Sequence, residues 1–283
     1  MNKAKEPLVV HDRQTLARVE KNAGTVGLMV TRGNWHPGHQ AAFTEASGRV
    51  DTLVASVYTD PVGPAFETTS DMISTADLQL AASTGVDVIF APSTEAFYPF
   101  GAALTVLDPG QIIRKYEGAH HPEQARDRLT QLVKMLGIVR PHKVFIGQCD
   151  AQLLAAVRLV VRDLDIPVSV EVVPTFRDLD GLTVSQTTLA LSATQREDAT
   201  CFAKALFAGV RQAAATGSGE AVLAATREAL NDSEAEIEYL DLVDPISFES
   251  WQADGPSTAC LIAAVKLGEV RLSDNQLVVL SRP

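Results

Sequence analysis

The chain has 283 residues, of which 46% are hydrophobic and 6% aromatic, and its 24 basic and 35 acidic residues give a net charge of −11. This composition is typical of a globular protein and excludes a disordered chain. The acidic balance argues against nucleic acid or a membrane surface as partner, because such proteins usually present a basic face. A phosphate-bearing ligand therefore requires a local concentration of positive groups.

The N-terminal sequence and the cysteines predict a cytoplasmic location. No apolar run approaches the roughly 18 residues that span a bilayer, and the N-terminus lacks the apolar stretch and cleavage site of a signal peptide. Cys149, Cys201 and Cys260 lie far apart, and no two of them form a CxxC pair. This pattern is unlike a disulfide framework or a zinc site and is typical of a reducing compartment.

The first two thirds of the chain alternates predicted strands and helices. Short apolar runs predict buried strands, and apolar residues at helical spacing predict helices between them. The strands are predicted at residues 25–31, 51–58, 86–90, 143–146 and 168–172, and the helices at 36–48, 71–84, 122–136 and 150–164. The alternation predicts an α/β fold, a Rossmann-like parallel sheet with helices on both faces. Ligands of such sheets bind at the carboxyl ends of the strands.

The pattern changes after about Leu189. Two Ala-rich helices and then three strands are predicted, at residues 192–216, 219–230, 236–242, 258–266 and 270–279. We therefore predict a Rossmann-like nucleotide-binding domain at residues 1–187 and a small α+β lid domain at residues 188–283. The irregular segment 93–118 is expected to be a functional loop or a dimer element, because long structureless loops in compact domains usually have a function.

The most distinctive motif is His36-Pro37-Gly38-His39, which follows the first predicted strand and begins a helix. The N–H groups and the positive dipole of a helix N-terminus favour phosphate. Glycine allows a nucleotide to approach the backbone, and two imidazoles can donate hydrogen bonds to phosphate oxygens. Taken alone, the motif is equally compatible with a helix-initiating turn whose histidines are satisfied within the protein. Its place after the first strand favours the functional interpretation.

The chain resembles the pantothenate synthetases, a family of the HIGH-motif nucleotidyltransferase superfamily, from about residue 8 to residue 280. The matching segments, in the family's order, are residues 30–39, 98–99, 117–118, 138–141, 145–150, 174–182, 239–240, 266–268 and 272–275. The resemblance implies a ligase that activates the carboxylate of pantoate with ATP and Mg²⁺ as an acyl adenylate, and then forms an amide with β-alanine. It also implies a homodimer.

The resemblance assigns roles to individual positions. Three residues are expected to be catalytic and to contact phosphate: His36, His39 and Ser185. Four residues are expected to line the nucleotide pocket: Gly38, Gly147, Asp150 and Val184.

Two basic residues of the family's phosphate site are replaced. Cys149 stands where the family has the lysine of Gly-Glu-Lys-Asp, and Thr187 stands where it has the arginine of Met-Ser-Ser-Arg-Asn. Loss of one electrostatic donor to a developing charge typically costs about 10²–10³ in rate. The replacements therefore argue against adenylation by the family's ordinary route.

The expected acid pocket differs as well. Residues 60–64 differ from the family's Asn-Pro-Met-Gln-Phe, and Leu153 replaces a glutamine that contacts pantoate, whereas the neighbouring Gln152 is kept. Basic side chains appear near this pocket instead, including Arg126. We expect four residues to bind a substrate other than pantoate: Arg32, Trp35, Arg128 and Gln152.

Several residues have two interpretations. Trp35 either stacks on a substrate or packs in the core. Cys149 could be a nucleophile with His36 or His39 as its base, although a lysine that is no longer needed explains it more simply. A metal site at His120-His121 needs a third ligand of suitable type, and Glu123 is near enough in the sequence to be one. A solvated loop is the favoured interpretation, and we predict no metal site.

Two hypotheses follow for the function. The first is an ATP- and Mg²⁺-dependent ligase that joins a small carboxylic acid to an amine in secondary metabolism, with a substrate other than pantoate. The second is a fold with a degenerate ATP site, used for non-adenylating chemistry or for ligand binding. Release of pyrophosphate distinguishes them.

Overall fold

The computed structural model describes residues 6–20, 24–58, 73–101, 104–231 and 233–281. The chain divides into two compact units, each built from separate stretches of sequence. The first unit contains Met1–Pro109, His121–Gly147 and Val160–Pro174, and the second contains Gly110–His120, Gln148–Leu159 and Thr175–Pro283. The predicted domain boundary between residues 187 and 188 stays a prediction.

The first unit contains a six-stranded sheet in the order β1-β4-β3-β2-β5-β6, in which every described pair is parallel. The strands are β1 Leu8–Val10, β2 Val26–Thr31, β3 Thr52–Val57, β4 Val88–Phe90, β5 Lys143–Gly147 and β6 Ser169–Val173. Strands such as β3 are almost wholly buried, because helices cover both faces of a parallel sheet.

The described α-helices are α1 Arg13–Glu20, α2 Pro37–Ser47, α3 Thr75–Thr84, α4 Thr94–Phe97, α5 Tyr116–His120, α6 Pro122–Val139, α7 Ala151–Asp163, α8 Gln186–Leu189, α9 Ala193–Thr216 and α10 Gly219–Asn231. Short 3-10 helices cover Gly110–Ile113 and Gln148–Asp150. None of the helices in the described ranges is long and apolar enough to cross a membrane.

The strand order places a switch point at β2. The chain continues from β2 to β3 on one side, whereas β5 pairs with the other side of β2. Ligands of open α/β sheets bind at the carboxyl ends of strands at such a point. The His36–His39 motif follows β2, and Gly147 ends β5, so the sheet brings both to this edge.

The second unit contains an antiparallel sheet in the order β7-β8-β9, with strands Glu236–Val243, Thr258–Leu267 and Val270–Val279. The short β8–β9 turn uses Gly268 at φ +59°, a backbone region in which glycine avoids the steric cost of a side chain. The apolar faces of α9 and α10 bury Phe202, Leu206 and Val222 in one core with Leu261 of β8.

The structure confirms the predicted α/β fold class, and every predicted strand and helix is present. The expected helix at residues 71–84 is described as α3 from Thr75, and residues 71–72 lie outside the described ranges. Strand β1 and the helices α1 and α8 were not predicted. The segment 93–118, expected to be irregular, contains α4, a 3-10 helix and the beginning of α5.

Candidate active site

The loop between β2 and α2 is held by buried hydrogen bonds. The Thr31 hydroxyl donates to the carbonyl oxygen of Ser56 (2.7 Å) and accepts from the indole N–H of Trp35 (2.8 Å). The backbone N–H of Trp35 donates to the carboxylate of Asp77 (2.7 Å), which is buried on α3. The indole ring packs edge-on against Phe43 at 4.8 Å between centroids. Trp35 is therefore a core residue, as in the second of its two interpretations.

The two histidines cap the first turn of α2 reciprocally. Nδ1 of His36 accepts a hydrogen bond from the backbone N–H of Gly38 (3.2 Å), and Nδ1 of His39 accepts from the backbone N–H of His36 (3.4 Å). This is the geometry of a capping box, with histidines in the places that serine or threonine and glutamate usually take. The backbone N–H groups of His39 and Gln40 donate to the carbonyl oxygen of His36, and Pro37 has no N–H.

The cap determines which ring nitrogen of His36 and of His39 carries the proton. A neutral imidazole has one acceptor nitrogen and one N–H, so acceptance at Nδ1 leaves the proton of each ring on Nε2. Half-burial lowers the pKa of His36 below its usual value, which keeps the ring neutral at pH 7. The ring centroids of His36 and His39 lie 4.1 Å apart. The two rings, each with its proton on Nε2, therefore lie side by side at the start of α2.

This arrangement corrects one expectation from the sequence. The backbone N–H groups of the first turn of α2 were expected to meet phosphate, but those of Gly38, His39 and Gln40 are already hydrogen-bonded. Phosphate contacts by the side chains of His36 and His39 stay a prediction.

The basic residues expected near the acid pocket lie on two elements of the first unit. Arg32 directly follows β2 and is exposed, and Arg128 is exposed on α6. Arg126, on the same helix, forms an ion pair with Asp108 at 3.0 Å. Substrate binding by Arg32 and Arg128 stays a prediction. Residues 60–64 lie outside the described residues.

The second unit contains the turn that carries the replaced lysine position. Residues 148–150 form a 3-10 helix, in which the Cys149 side chain is exposed and Asp150 is half-buried. Helix α7 begins directly after this turn. Nucleotide contacts by Gly147 and Asp150 stay predictions.

Gln152 anchors the segment Gly110–His120. Its Nε2 donates to the carbonyl oxygens of Ile112 (2.5 Å) and Lys115 (2.8 Å), and its Oε1 accepts from the backbone N–H of Gly118 (2.9 Å). Both amide hydrogens are therefore used within the protein, so that only the carbonyl oxygen has a remaining lone pair for a substrate. The next residue, Leu153, is half-buried and apolar.

A network of charged and phenolic side chains also binds this segment. Glu117 accepts two hydrogen bonds from Arg271 (2.5 and 3.1 Å) and one from the hydroxyl of Tyr239 (2.8 Å). Arg271 also donates to Glu238 (2.7 Å). The Glu117 carboxylate raises the pKa of Arg271, while burial followed by the Glu117 charge raises that of Tyr239. Sequence reasoning gave no role to Arg271, which lies more than 150 positions along the chain from Glu117.

His120, one of the two adjacent histidines, lies near this network. Its Nε2 is 3.5 Å from Oε2 of Glu238. In the part of the chain that the structure describes, no group of three or more His, Cys, Asp or Glu side chains could hold a metal ion.

Ser185 begins the short helix α8. Its Oγ accepts from the backbone N–H of Thr188 (3.2 Å), and its own N–H donates to Oγ1 of Thr188 (2.9 Å). The Thr188 hydroxyl donates in turn to the carbonyl oxygen of Thr183 (2.7 Å). The backbone N–H of Val184 donates to the carbonyl oxygen of Phe176 (3.0 Å). The cap orients Ser185, and the phosphate contact expected of Ser185 stays a prediction.

The parallel sheet, with the His36–His39 motif after the strand at its switch point, and the separate small α+β unit define a Rossmann-like α/β protein class. The chain belongs to the pantoate–β-alanine ligase family, whose pattern it matches over residues 8–277. The resemblance seen in the sequence is thereby confirmed.

Individual relatives agree with this assignment. The pantothenate synthetase of Thermobifida fusca is 36% identical over 289 residues, which cover 96% of this chain and 95% of the relative. The crystal structure of pantothenate synthetase from Thermus thermophilus is similar with a TM-score of 0.83 and 33% identity, over 95% of this chain and 98% of that one. The pantoate–β-alanine ligase of Francisella tularensis, complexed with β-γ ATP and β-alanine, shares the fold at 24% identity and a TM-score of 0.73, over 96% and 97% of the chains.

Proposed function

We propose that the protein is an ATP-dependent ligase that joins a carboxylic acid to an amine, and that the acid is not pantoate. The observation that carries the ATP-dependent chemistry is the pair of Nε2–H donors of His36 and His39 at the switch point. ATP supplies the activation of the carboxylate, with release of pyrophosphate, and the amine then forms the amide bond. The Nε2–H groups of His36 and His39 are uncharged donors whose rings are oriented by the cap. They can therefore stabilise charge that develops on phosphate oxygens without first having to reorient.

Several further features belong to the same proposal. Mg²⁺ accompanies the nucleotide and is held mainly by phosphate oxygens, as is usual for this ion. We also propose a homodimer in the cytoplasm with a role in secondary metabolism, on the basis of the family resemblance and the cysteine pattern. Sedimentation velocity tests the dimer.

The choice of acid rests on two neighbouring residues of α7. The resemblance gives this pair of positions two glutamines, of which the second contacts pantoate. Here Gln152 gives both amide hydrogens to backbone carbonyls, and Leu153 has no polar group. A substrate hydroxyl placed there finds no side-chain donor and can only donate to the Gln152 carbonyl oxygen, so that part of its hydrogen bonding is lost. We therefore propose an acid whose surface toward position 153 is apolar.

Nucleotide binding is tested by variants that keep the cap and remove the imidazoles. Asparagine is a good N-cap residue, and glutamine serves at the third helical position of a capping box, so His36→Asn with His39→Gln retains the acceptors. Calorimetry with ATP and Mg²⁺ should show binding to the parent and at least about tenfold weaker binding to this double variant. His121→Ala, at an exposed position, is the matched control. A parent that binds no ATP at millimolar concentration contradicts the proposal.

The acid is tested by pyrophosphate release in a screen of carboxylic acids and amines, with pantoate and β-alanine as the reference pair. We expect release with acids that are apolar where pantoate has hydroxyl groups, and little release with pantoate. Leu153→Gln should shift the preference toward pantoate. If pantoate is the best substrate of the parent, the proposed specificity is wrong.

A second candidate function is ligand binding without adenylation. It is favoured by Cys149 and Thr187, both exposed and uncharged at positions where the family has basic residues. ATP binding without pyrophosphate release for any acid in the screen would support it. The combined variant Cys149→Lys and Thr187→Arg then tests whether the missing charges are the reason, because it should restore release.

A further inference from the structure

One buried amide connects β9 to the 148–150 turn. Asn275 is 4% exposed, and its Nδ2 donates to the carbonyl oxygens of Gln148 (2.9 Å) and Cys149 (3.2 Å). Its Oδ1 accepts from Nε2 of Gln148 (3.2 Å) and from Sγ of Cys260 (3.7 Å). An amide has two hydrogens and two acceptor lone pairs, so the full hydrogen-bonding capacity of Asn275 is used.

The surroundings determine which way this amide faces. Cys260 is fully buried, and burial together with the charge of Asp274 raises the pKa of its thiol to about 12. The thiol therefore stays protonated at pH 7 and donates to the oxygen of Asn275. The amide nitrogen consequently faces the two carbonyl oxygens of the turn. A flipped amide would place its oxygen against these carbonyl oxygens and its N–H groups against the donors of Gln148 and Cys260.

The backbone of Asn275 is held just as firmly. Its N–H donates to Oδ1 of Asp274 (2.7 Å), and its carbonyl oxygen accepts from Nη2 of Arg177 (3.2 Å). The Arg177 guanidinium also binds both carboxylate oxygens of Asp274, at 2.5 and 3.0 Å. Bidentate pairs of this kind fix orientation as well as distance. These bonds fix the backbone of Asn275 on β9 and, with it, the position from which the amide side chain extends.

We propose that Asn275 is a positioning residue that sets the geometry of the 148–150 turn and thereby the placement of Cys149 and Asp150 for the ligand. Two successive carbonyl oxygens converge on one amide, so the turn cannot rotate without breaking at least one of these bonds. The turn follows β5 directly along the chain. The part of the inference that concerns the ligand rests on the proposed nucleotide function.

The test uses Asn275→Asp, which keeps the size and the acceptors but has no N–H for the two carbonyl oxygens. The readout is the rate at which dithionitrobenzoate modifies Cys149. The half-buried Cys201 is replaced by serine so that it does not react, and Cys260 is buried and needs no replacement. The loss of both donated hydrogen bonds should give the exposed Cys149 thiol more orientations in which the reagent can attack it, and we expect the rate to rise about fivefold. The measurement needs no nucleotide.

Val278→Ala is the matched control. Val278 is buried on the same strand and packs in the core of the second unit, so this variant lowers stability without changing the hydrogen bonds of the turn. It should leave the modification rate at the parent value. If Asn275→Asp reacts no faster than the parent, or Val278→Ala accelerates equally, the proposal is overturned. Should Asn275→Asp fail to fold, Gln148→Ala, which removes one donor to Oδ1, is measured and judged in the same way.

Calorimetry with ATP and Mg²⁺ on the same variants separates this proposal from the proposed function. We expect Asn275→Asp to bind ATP about fivefold more weakly than the parent, in parallel with the faster modification. A parent that binds no ATP contradicts the proposed function alone, because the modification rate still tests the turn. Faster modification with unchanged ATP affinity would overturn the role in ligand placement.

Discussion

The Cα atom of Gly118 lies against the backbone of Ile113, so closely that a Cβ atom at position 118 would be 2.4 Å from the Ile113 carbonyl oxygen. We expect Gly118→Ala to destabilise the protein by at least about 2 kcal/mol, because backbone atoms must move to admit the methyl group. Gly137→Ala is the control, since position 137 is exposed on α6 with no atom within 4 Å of the added Cβ.

Chemical denaturation measures both glycine variants. The control should be stabilised by about 0.5–1 kcal/mol, because alanine loses less conformational entropy than glycine in a helix. Equal effects of the two substitutions would show that the Gly118–Ile113 approach does not constrain the fold.

Gln152→Glu should separate the anchoring role of this side chain from its shape. The carboxylate can still accept from the N–H of Gly118 but cannot donate to the carbonyl oxygens of Ile112 and Lys115. Two buried acceptors without donors predict a loss of about 2–4 kcal/mol in the free energy of unfolding. Gln14→Glu, at an exposed position of α1, should change it by less than about 0.5 kcal/mol. A loss as small as that of the control would contradict the anchoring role.

Thr31→Val tests the hydrogen bond that holds Trp35. Valine has the shape of threonine but no hydroxyl, so the buried indole N–H loses its acceptor, at a cost of about 1–3 kcal/mol. Thr31→Ser keeps the hydroxyl and should cost less. Thermal unfolding measures both, and the order of the two variants, with serine the more stable, is the decisive result.

The low pKa of His36 predicts a pH dependence of stability. Burial lowers the pKa in the folded state, so the unfolded state binds a proton more readily when the pH falls below the ordinary histidine value of about 6.5. The contribution of neutral His36 is therefore fully present above that pH and is lost as the pH falls through the lowered pKa. His36→Asn, which keeps the cap, should lose stability less steeply between about pH 7.5 and pH 5.

The comparison is made by denaturation at several pH values, with His121→Asn as the control at an exposed position. This control should have the slope of the parent. If the free energy of unfolding of His36→Asn also varies with pH as steeply as that of the parent, folding does not lower the pKa of His36.

The sequence predicted the sheet because its strands are apolar runs separated by helical periodicity, and tertiary packing follows that pattern directly. Strand β1 was missed because three residues at a sheet edge carry little pattern. Helix α1 did carry a signal: Asp12 accepts from the backbone N–H of Thr15 at 2.8 Å, and aspartate before a helical stretch is a common N-cap.

The candidate site was predictable in residue type but not in hydrogen bonding. The motif identified His36 and His39, yet their reciprocal cap depends on ring orientation. The use of the Gln152 amide and the contacts of Asn275 depend on partners far along the chain. Spacing along a sequence carries no information on such contacts, because they form only when separate stretches fold together.

The second unit is assembled from three separate stretches of chain, and this limits how the protein can be divided. A fragment beginning at Thr175 would keep Arg271 and Asn275 but lose Glu117, Gln148 and Cys149, and would expose a guanidinium and an amide that need those partners. We expect such a fragment to be poorly folded when expressed alone. Exchange of this unit between relatives as a cassette should likewise require all three stretches, transferred together.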